Sequence, residues 1–188
     1  MKRAIGCLLG MTLWLWGATS WADSYSDTVA LFNNAGQSQE FFKNSYGYAV
    51  FPTIGKGGLI VGGAYGKGRV YVHGKYVGGT SVAQVSLGLQ AGGQAYSQII
   101  FFEDKRAFTE FTKGDFEFGA DATAVAITAG AGATAGTTGV SADASGGMKD
   151  ATTVGRYYKG MAVFTIVKGG AMYEVGLAGQ KFTYAPRA

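Results

Sequence analysis

The sequence predicts an α+β domain built on a glycine-rich, curved antiparallel sheet or a partly closed β-barrel. The chain has 188 residues with 32 glycines and only 2 prolines, a composition that matches neither collagen nor a proline-rich disordered chain. From residue 46 onward, short apolar or alternating runs are separated by glycine, as strands are. Helical spacing precedes these runs and interrupts them once. We therefore expect N-terminal helices, a sheet and one inserted helix.

The first 22 residues have the features of a signal peptide. Lys2 and Arg3 give a positive start, residues 4–18 carry no charge, and Ser20-Trp21-Ala22 provides small residues for a signal-peptidase site. We expect residues 1–22 to be removed and residues 23–188 to form one exported domain. Cys7 precedes the apolar stretch instead of following it, so cleavage is favoured over lipidation of this cysteine.

Removal of this leader changes the chemistry that is available. Cys7 and all three tryptophans are lost, which excludes thiol catalysis, disulfides and cysteine-ligated zinc. Loss of Lys2 and Arg3 lowers the net charge from +4 to +2. A protein that binds nucleic acid broadly is not expected on that balance. An exported chain without cysteine is expected in the periplasm or outside the cell, and it could lie peripherally on a membrane.

Residues 23–45 predict two short helices, with an interruption at residues 33–36 and Ser38 as the cap of the second helix. An apolar stripe at helical spacing is more often core than a membrane anchor. We expect this stripe to cover the sheet, with membrane insertion as the alternative. Its residues are Tyr25, Val29, Phe32, Phe41 and Phe42.

Five runs are predicted as strands, namely residues 46–53, 57–65, 68–77, 82–91 and 97–102. Between Glu103 and Lys113 the period is helical, and Gly114 is a stop signal. Residues 122–142 predict two flat strands with a turn near residues 130–136, because they are too rich in Gly and Thr for a membrane helix.

Residues 49–58 resemble residues 162–170, and each copy ends in Lys-Gly-Gly. We interpret this as a shared strand–turn–strand unit with Lys-Gly-Gly at its turn.

The residues offer little for catalysis, and we expect no catalytic residue, metal site or cofactor. His73 is the only histidine, and no paired carboxylates or nucleophile with a base can be proposed from spacing. The acids between residues 103 and 121 lack a calcium-loop pattern and are better explained by helix-start and turn chemistry. Residues 62–68 lack the spacing of a phosphate loop and continue as a strand.

The charge distribution is more informative than the total charge. No acid lies between Glu40 and Glu103. Cations near glycine turns, interleaved with tyrosines, suit a surface that meets lipid headgroups. Strand-end lysines that keep sheet edges soluble are the alternative. The candidate lipid-binding residues are Lys56, Lys67, Arg69, Lys75, Tyr65 and Tyr71.

Several segments together resemble the SYLF domain family. They are Tyr48-Ala49-Val50-Phe51-Pro52, residues 56–68, residues 86–94, residues 98–102 and residues 159–164. The order and spacing fit over about residues 25–184. Residues 73–82 depart from the family pattern, because they contain neither the tryptophan nor the proline often found there.

The resemblance implies a non-enzymatic domain that binds phospholipid, with phosphoinositide preference and actin association in eukaryotic relatives. For an exported bacterial chain we expect an anionic phospholipid surface as the partner, and neither actin nor nucleic acid. Two alternatives remain open. One is a small outer-membrane β-barrel, and the other is a soluble envelope scaffold that binds an acidic protein.

Overall fold

The computed structural model describes residues 23–58, 61–87, 92–120, 122, 124–127, 157–170 and 176–188. The predicted signal peptide and most of the two strands predicted within residues 122–142 lie outside these ranges. The elements in chain order are α1 (Asp23–Asn34), α2 (Gly36–Asn44), β1 (Gly47–Gly58), β2 (Val61–Val72), β3 (Lys75–Leu87), β4 (Gly92–Phe102), α3 (Lys105–Phe111), β5 (Val125–Ile127), β6 (Met161–Gly170) and β7 (Gln180–Pro186).

The seven strands form one open sheet in the order β5-β6-β4-β1-β2-β3-β7. The predicted α+β class and the strand-rich core are confirmed. Every pairing is antiparallel except that of β5 with β6, which is parallel. The sheet is therefore antiparallel as predicted except at that edge, where the parallel pairing makes it mixed.

The sheet is strongly curved. Four strand spacings separate β4 from β7, which in a flat sheet amounts to about 19 Å. Nevertheless, Gln98 on β4 donates a hydrogen bond to the side-chain oxygen of Gln180 on β7 at 3.0 Å. A bulge in β1 between Val50 and Thr53 adds local bending. The face that carries these glutamines is hereafter the concave face, and the opposite one is the convex face.

The strands are longer than the glycine positions predict. β2 runs through Gly66 and Gly68 without a break, although the sequence predicts a boundary there. A Cβ added at Gly66 would lie 2.7 Å from a side-chain carbon of Ile54, and one at Gly68 would lie 2.7 Å from the ring of Phe51. These glycines therefore make room for large β1 side chains instead of ending a strand.

The turn between β2 and β3 falls inside the predicted strand 68–77. His73 and Gly74 have φ values of 48° and 75°, which is the left-handed backbone that a tight hairpin turn requires. The hydrophobic pattern continues across this turn, so periodicity alone did not reveal it.

The Lys-Gly-Gly triplets end strands and do not form turns, which corrects that part of the prediction. Residues 56–58 are the last three of β1, and residues 168–170 are the last three of β6. Both strands pair with β4, one on each side, and therefore run in the same direction. The two similar segments thus lie at the same end of the sheet.

Both faces of the sheet bury apolar side chains. The concave core includes Phe51, Ile54, Tyr96, Ile100, Phe102, Phe111 and Phe182, with α3 packed at one end. The convex core includes Phe32 and Phe41 from α1 and α2, packed on Val50, Ile99, Phe101, Phe164 and Ile166. The predicted apolar stripe of the N-terminal helices therefore covers the sheet. Within the described ranges, no helix has both the length and the apolar character that a membrane crossing requires.

Ser38 does not cap α2, contrary to the prediction. Ala35 occupies the cap position without a side-chain hydrogen bond. Ser38 is buried, and its hydroxyl donates to the backbone oxygens of Phe32 and Ala35. Ser38 therefore satisfies carbonyl groups where α1 ends. Its position after the break at residues 33–36 did not indicate this role.

The inserted helix agrees with its prediction. The Asp104 carboxylate accepts a hydrogen bond from the Ala107 backbone N–H at 2.8 Å, which caps α3. Ala107 and Phe111 are buried, and Gly114 follows the helix with a φ of 93°.

Candidate functional surface

The described strands contain no aspartate or glutamate. Six strand residues are cationic, namely Lys56, Lys67, Arg69, Lys75, Lys168 and Lys181. The acids of the described ranges all lie on helices or connecting segments, at Asp23, Asp27, Glu40, Glu103, Asp104, Glu110, Asp115 and Glu117. The described strands themselves therefore contribute only positive charge to the surface of the sheet.

One part of the convex face is uncovered, beyond the helices toward β7. Lys67 on β2 lies directly opposite Thr53 on β1 and Ser81 on β3, and Ser81 lies opposite Thr183 on β7. Directly opposite residues project to the same side of a sheet. Tyr65 follows on the same face and is 56% exposed. We call this set, Thr53, Tyr65, Lys67, Ser81 and Thr183, the open strip.

Of the six predicted site residues, Tyr65 and Lys67 lie on the open strip. Their neighbourhood is lined by small residues, because Gly55 and Ala83 are the residues paired with Tyr65. The aromatic ring and the ammonium group are therefore presented to solvent with little steric cover.

Arg69 and Tyr71 lie on the same face of β2 but are packed beneath α1. The Arg69 guanidinium lies 4.2 Å from the ring centroid of Tyr25 on α1 and 5.3 Å from that of Tyr76. Tyr71 stacks on Tyr48 with ring centroids 5.2 Å apart. Burial raises the pKa of Tyr25, and the nearby Arg69 charge opposes that shift only in part. The Arg69 contact helps to dock α1 on the sheet, whereas Tyr71 packs on a neighbouring strand.

Lys56 and Lys75 are not part of this group. Lys56 lies opposite Ala64 and Gln94, which places it on the concave face. Lys75 lies opposite Val72 beside the β2–β3 turn, roughly 17 Å along the strand from Lys67. The structure therefore does not bring the four predicted cations together into one rim.

Lys168 is not among the lipid-binding candidates that the sequence indicates. Its ammonium group reaches across β4 and donates to the Thr53 hydroxyl at 3.3 Å. Lys168 belongs to the second Lys-Gly-Gly segment, which is visible in the sequence. The proximity of Lys168 to Lys67, however, depends on the strand order β6-β4-β1-β2. Lys168 and Lys67 thus flank Thr53 and supply two cations to the open strip.

At the β7 edge the charge is balanced. Lys181 forms an ion pair with Glu117 at 3.3 Å, and Glu117 bridges to Lys181 through the backbone. This pair is exposed and contributes little to stability. Glu117 thereby balances the charge of Lys181, which lies two residues from Thr183 on β7.

The described ranges contain no group of three metal-binding side chains. His73 is exposed and contacts the ring of Tyr46 at a centroid distance of 5.1 Å. Glu110 pairs with Arg106 one helical turn away. Asp104, which caps α3, and Glu110 therefore have local structural roles in this helix.

The fold and this surface define a class of protein, namely an α+β domain with a curved sheet whose described strands carry cations and no acids. The family model described as "Las17-binding protein actin regulator" (Ysc84) matches residues 83–186. The chain belongs to this family, which is the SYLF domain family, so the resemblance seen in the sequence is confirmed.

A curated relative is Beta cell expansion factor A from Aeromonas veronii. The chain is 31% identical to it over 156 residues, which make up 82% of this chain and 51% of the relative. The chain therefore spans about half the length of that protein.

Proposed function

We propose that this protein binds anionic phospholipid at the bacterial cell envelope, without catalysis, through the open strip. Membership of the SYLF family supports lipid binding in general. The observation that carries the specific proposal is the absence of acid from the described part of the sheet, together with Lys67 and Lys168 on its uncovered convex side. The proposal includes export to the periplasm or the cell exterior, where an anionic lipid surface is the partner and actin is not.

The chemistry of the open strip suits a membrane interface. Each cation near an anionic surface contributes about 1 kcal/mol, and this attraction weakens over a Debye length. Lys67 and Lys168 supply two such charges, and Tyr65 supplies an amphipathic ring of the kind found at headgroup level. Binding by this surface is consequently expected to be modest and sensitive to salt.

Vesicle co-sedimentation tests the proposal. We expect the purified protein to pellet with vesicles that contain phosphatidylglycerol, but not with phosphatidylcholine vesicles, and to be released by high salt. The double variant Lys67→Glu, Lys168→Glu should bind at least roughly 30-fold more weakly, because two cations of about 1 kcal/mol each are lost.

Lys75→Glu is the matched control for the single variant Lys67→Glu, because each reverses one charge and Lys75 lies at the far end of the sheet. Lys75→Glu should reduce binding much less than Lys67→Glu. Equal losses in these two single variants would point to diffuse charge attraction and contradict the strip as the site. Folded protein that stays in the supernatant under every condition would contradict lipid binding and favour an acidic protein partner.

A further inference from the structure

The open strip contains a row of hydroxyl groups in addition to its two positive charges. Its cross-strand order is Thr53, Lys67, Ser81 and Thr183, so an ammonium group stands among three hydroxyls. Four residues on neighbouring strands span three spacings, or about 14 Å. A row of this length can contact more than one group of a single ligand.

The hydroxyls retain hydrogen-bonding capacity toward solvent. The Ser81 and Thr183 hydroxyls lie 2.7 Å apart and are exposed. One of them donates to the other, so the pair keeps a free O–H donor and several acceptor lone pairs. The Thr53 hydroxyl accepts from Lys168 at 3.3 Å and keeps its own O–H to donate.

The surroundings disfavour a ligand that carries its own cation. The strands that the structure describes contain no acid, and Glu117 at the β7 edge is already paired with Lys181. A headgroup ammonium placed over this row would lie near Lys67 and Lys168 without an acid in the strands to neutralise it. A phosphate with neutral hydroxyls attached meets no such repulsion.

We infer that the open strip selects headgroups in which hydroxyls lie close to a phosphate and no ammonium is present, as in phosphatidylglycerol. Lys67 and Lys168 pair with the phosphate, and the Ser81–Thr183 pair bonds the glycerol hydroxyls one strand spacing away. This inference rests on the proposed function, because it assigns a preference within anionic lipids to the same surface.

Phosphatidylglycerol and phosphatidylserine provide the test, because both headgroups have a net charge of −1 and only phosphatidylserine carries an ammonium. The protein would be titrated with vesicles that contain equal fractions of one or the other in phosphatidylcholine. One additional hydrogen bond of ordinary net strength corresponds to roughly a 2- to 10-fold difference in affinity. We expect phosphatidylglycerol to be preferred by that factor.

The double variant Ser81→Ala, Thr183→Val separates hydroxyl recognition from charge. It should lower the preference for phosphatidylglycerol toward the part that ammonium repulsion alone supplies, while binding to phosphatidylserine changes little. Lys67→Glu should weaken binding to both lipids. Thr109→Ala on the exposed surface of α3 is the control for removing a hydroxyl elsewhere, and circular dichroism would establish that each variant is folded.

The outcomes are distinguishable. Equal binding of the wild-type protein to the two lipids overturns the selectivity and leaves the proposed lipid binding intact. A preference that survives unchanged in the Ser81→Ala, Thr183→Val protein overturns the assignment to these hydroxyls. Failure to bind either kind of vesicle removes both the selectivity and the proposed function.

Discussion

The two faces of the sheet are built from the same strands but are covered to different extents. The concave face is filled by the rings of Phe51, Phe111 and Phe182, and by a fully buried polar contact between Gln98 and Gln180. The convex face is covered by α1 and α2 over β1, β4 and β6, whereas Lys67 on β2 remains exposed. Curvature explains the difference, because it brings the side chains of the concave face together and moves those of the convex face apart.

This comparison separates residues that hold the fold from residues that are available for binding. Alternate residues of β2 illustrate the separation. Gly66 and Gly68 point toward the concave side, where an added methyl group would clash, while Tyr65 and Lys67 point away from it. Substitutions on the two faces should therefore have opposite consequences for stability and for binding.

The largest effect on stability is expected from Phe111→Ala on the concave face. The Phe111 ring lies 5.0 Å from that of Phe102 and 5.1 Å from that of Phe182. Truncation of a buried phenylalanine costs about 3 to 5 kcal/mol. Urea unfolding would measure this loss, with Tyr65→Ala on the open strip as the control, expected to change stability by less than about 0.5 kcal/mol. Similar losses in the two variants would contradict the division between the faces.

A smaller loss is expected from Gly68→Ala. The new methyl group would lie 2.7 Å from the Phe51 ring and 2.8 Å from the Val50 backbone oxygen, and overpacking of this kind costs about 1 to 3 kcal/mol. Gly55→Ala is the control, because no atom lies within 4 Å of its added methyl. That variant should be neutral or slightly stabilising in thermal melts. A harmless Gly68→Ala substitution would mean that β1 and β2 are not as closely packed as described.

Alkaline pH should destabilise the protein through its buried and half-buried tyrosines. Burial raises the pKa of Tyr48, Tyr96 and Tyr157 to about 12. Since the unfolded chain deprotonates near pH 10, the stabilisation is complete below pH 10 and is lost as the pH rises toward 12. Urea midpoints between pH 9 and 12 would show the decline.

The variant Tyr96→Phe tests how much of the alkaline loss of stability comes from Tyr96 on the concave face. The variant should be about 1 to 2 kcal/mol less stable at neutral pH, because the Gln180 side-chain amide loses its 3.1 Å contact with the Tyr96 hydroxyl. Its stability should also fall less steeply above pH 10. An unchanged slope would exclude Tyr96 as a source of the alkaline decline.

The smallest effect is expected where α1 meets the convex face. Tyr25→Ala removes the ring that covers Arg69 and should cost about 1 kcal/mol, the size of a partly exposed cation–π contact. The uncovered Arg69 would add a cation beside Lys67, so binding to anionic vesicles should rise slightly. Tyr25→Phe keeps the ring and should behave like the wild-type protein in both measurements. A Tyr25→Ala protein with unchanged binding would argue against proximity of Arg69 to the lipid.

The candidate site was predicted only in part, for a physical reason. Composition and charge indicated Tyr65 and Lys67 as candidates, but the predicted break at residues 66–67 left them on no common strand, and only the continuous strand β2 places both on one face. The bulge in β1 shifts the register after Val50, and alternation counted along the chain then no longer assigns the face of Lys56. The coverage of Arg69 by Tyr25 depends on where α1 docks on the sheet, and no local sequence pattern predicts that position.

The sequence by itself determined the class of fold, the helices before the sheet, the capped helix α3 and the absence of acid across four consecutive strands. These properties depend on composition, capping residues and short-range periodicity, which are all local. Only the tertiary structure decided that glycines lie inside strands, that Lys168 joins Lys67, and that Arg69 is covered while Lys67 is exposed. Strand order, curvature and helix docking involve residues far apart in the chain, and their energies arise only when those residues meet.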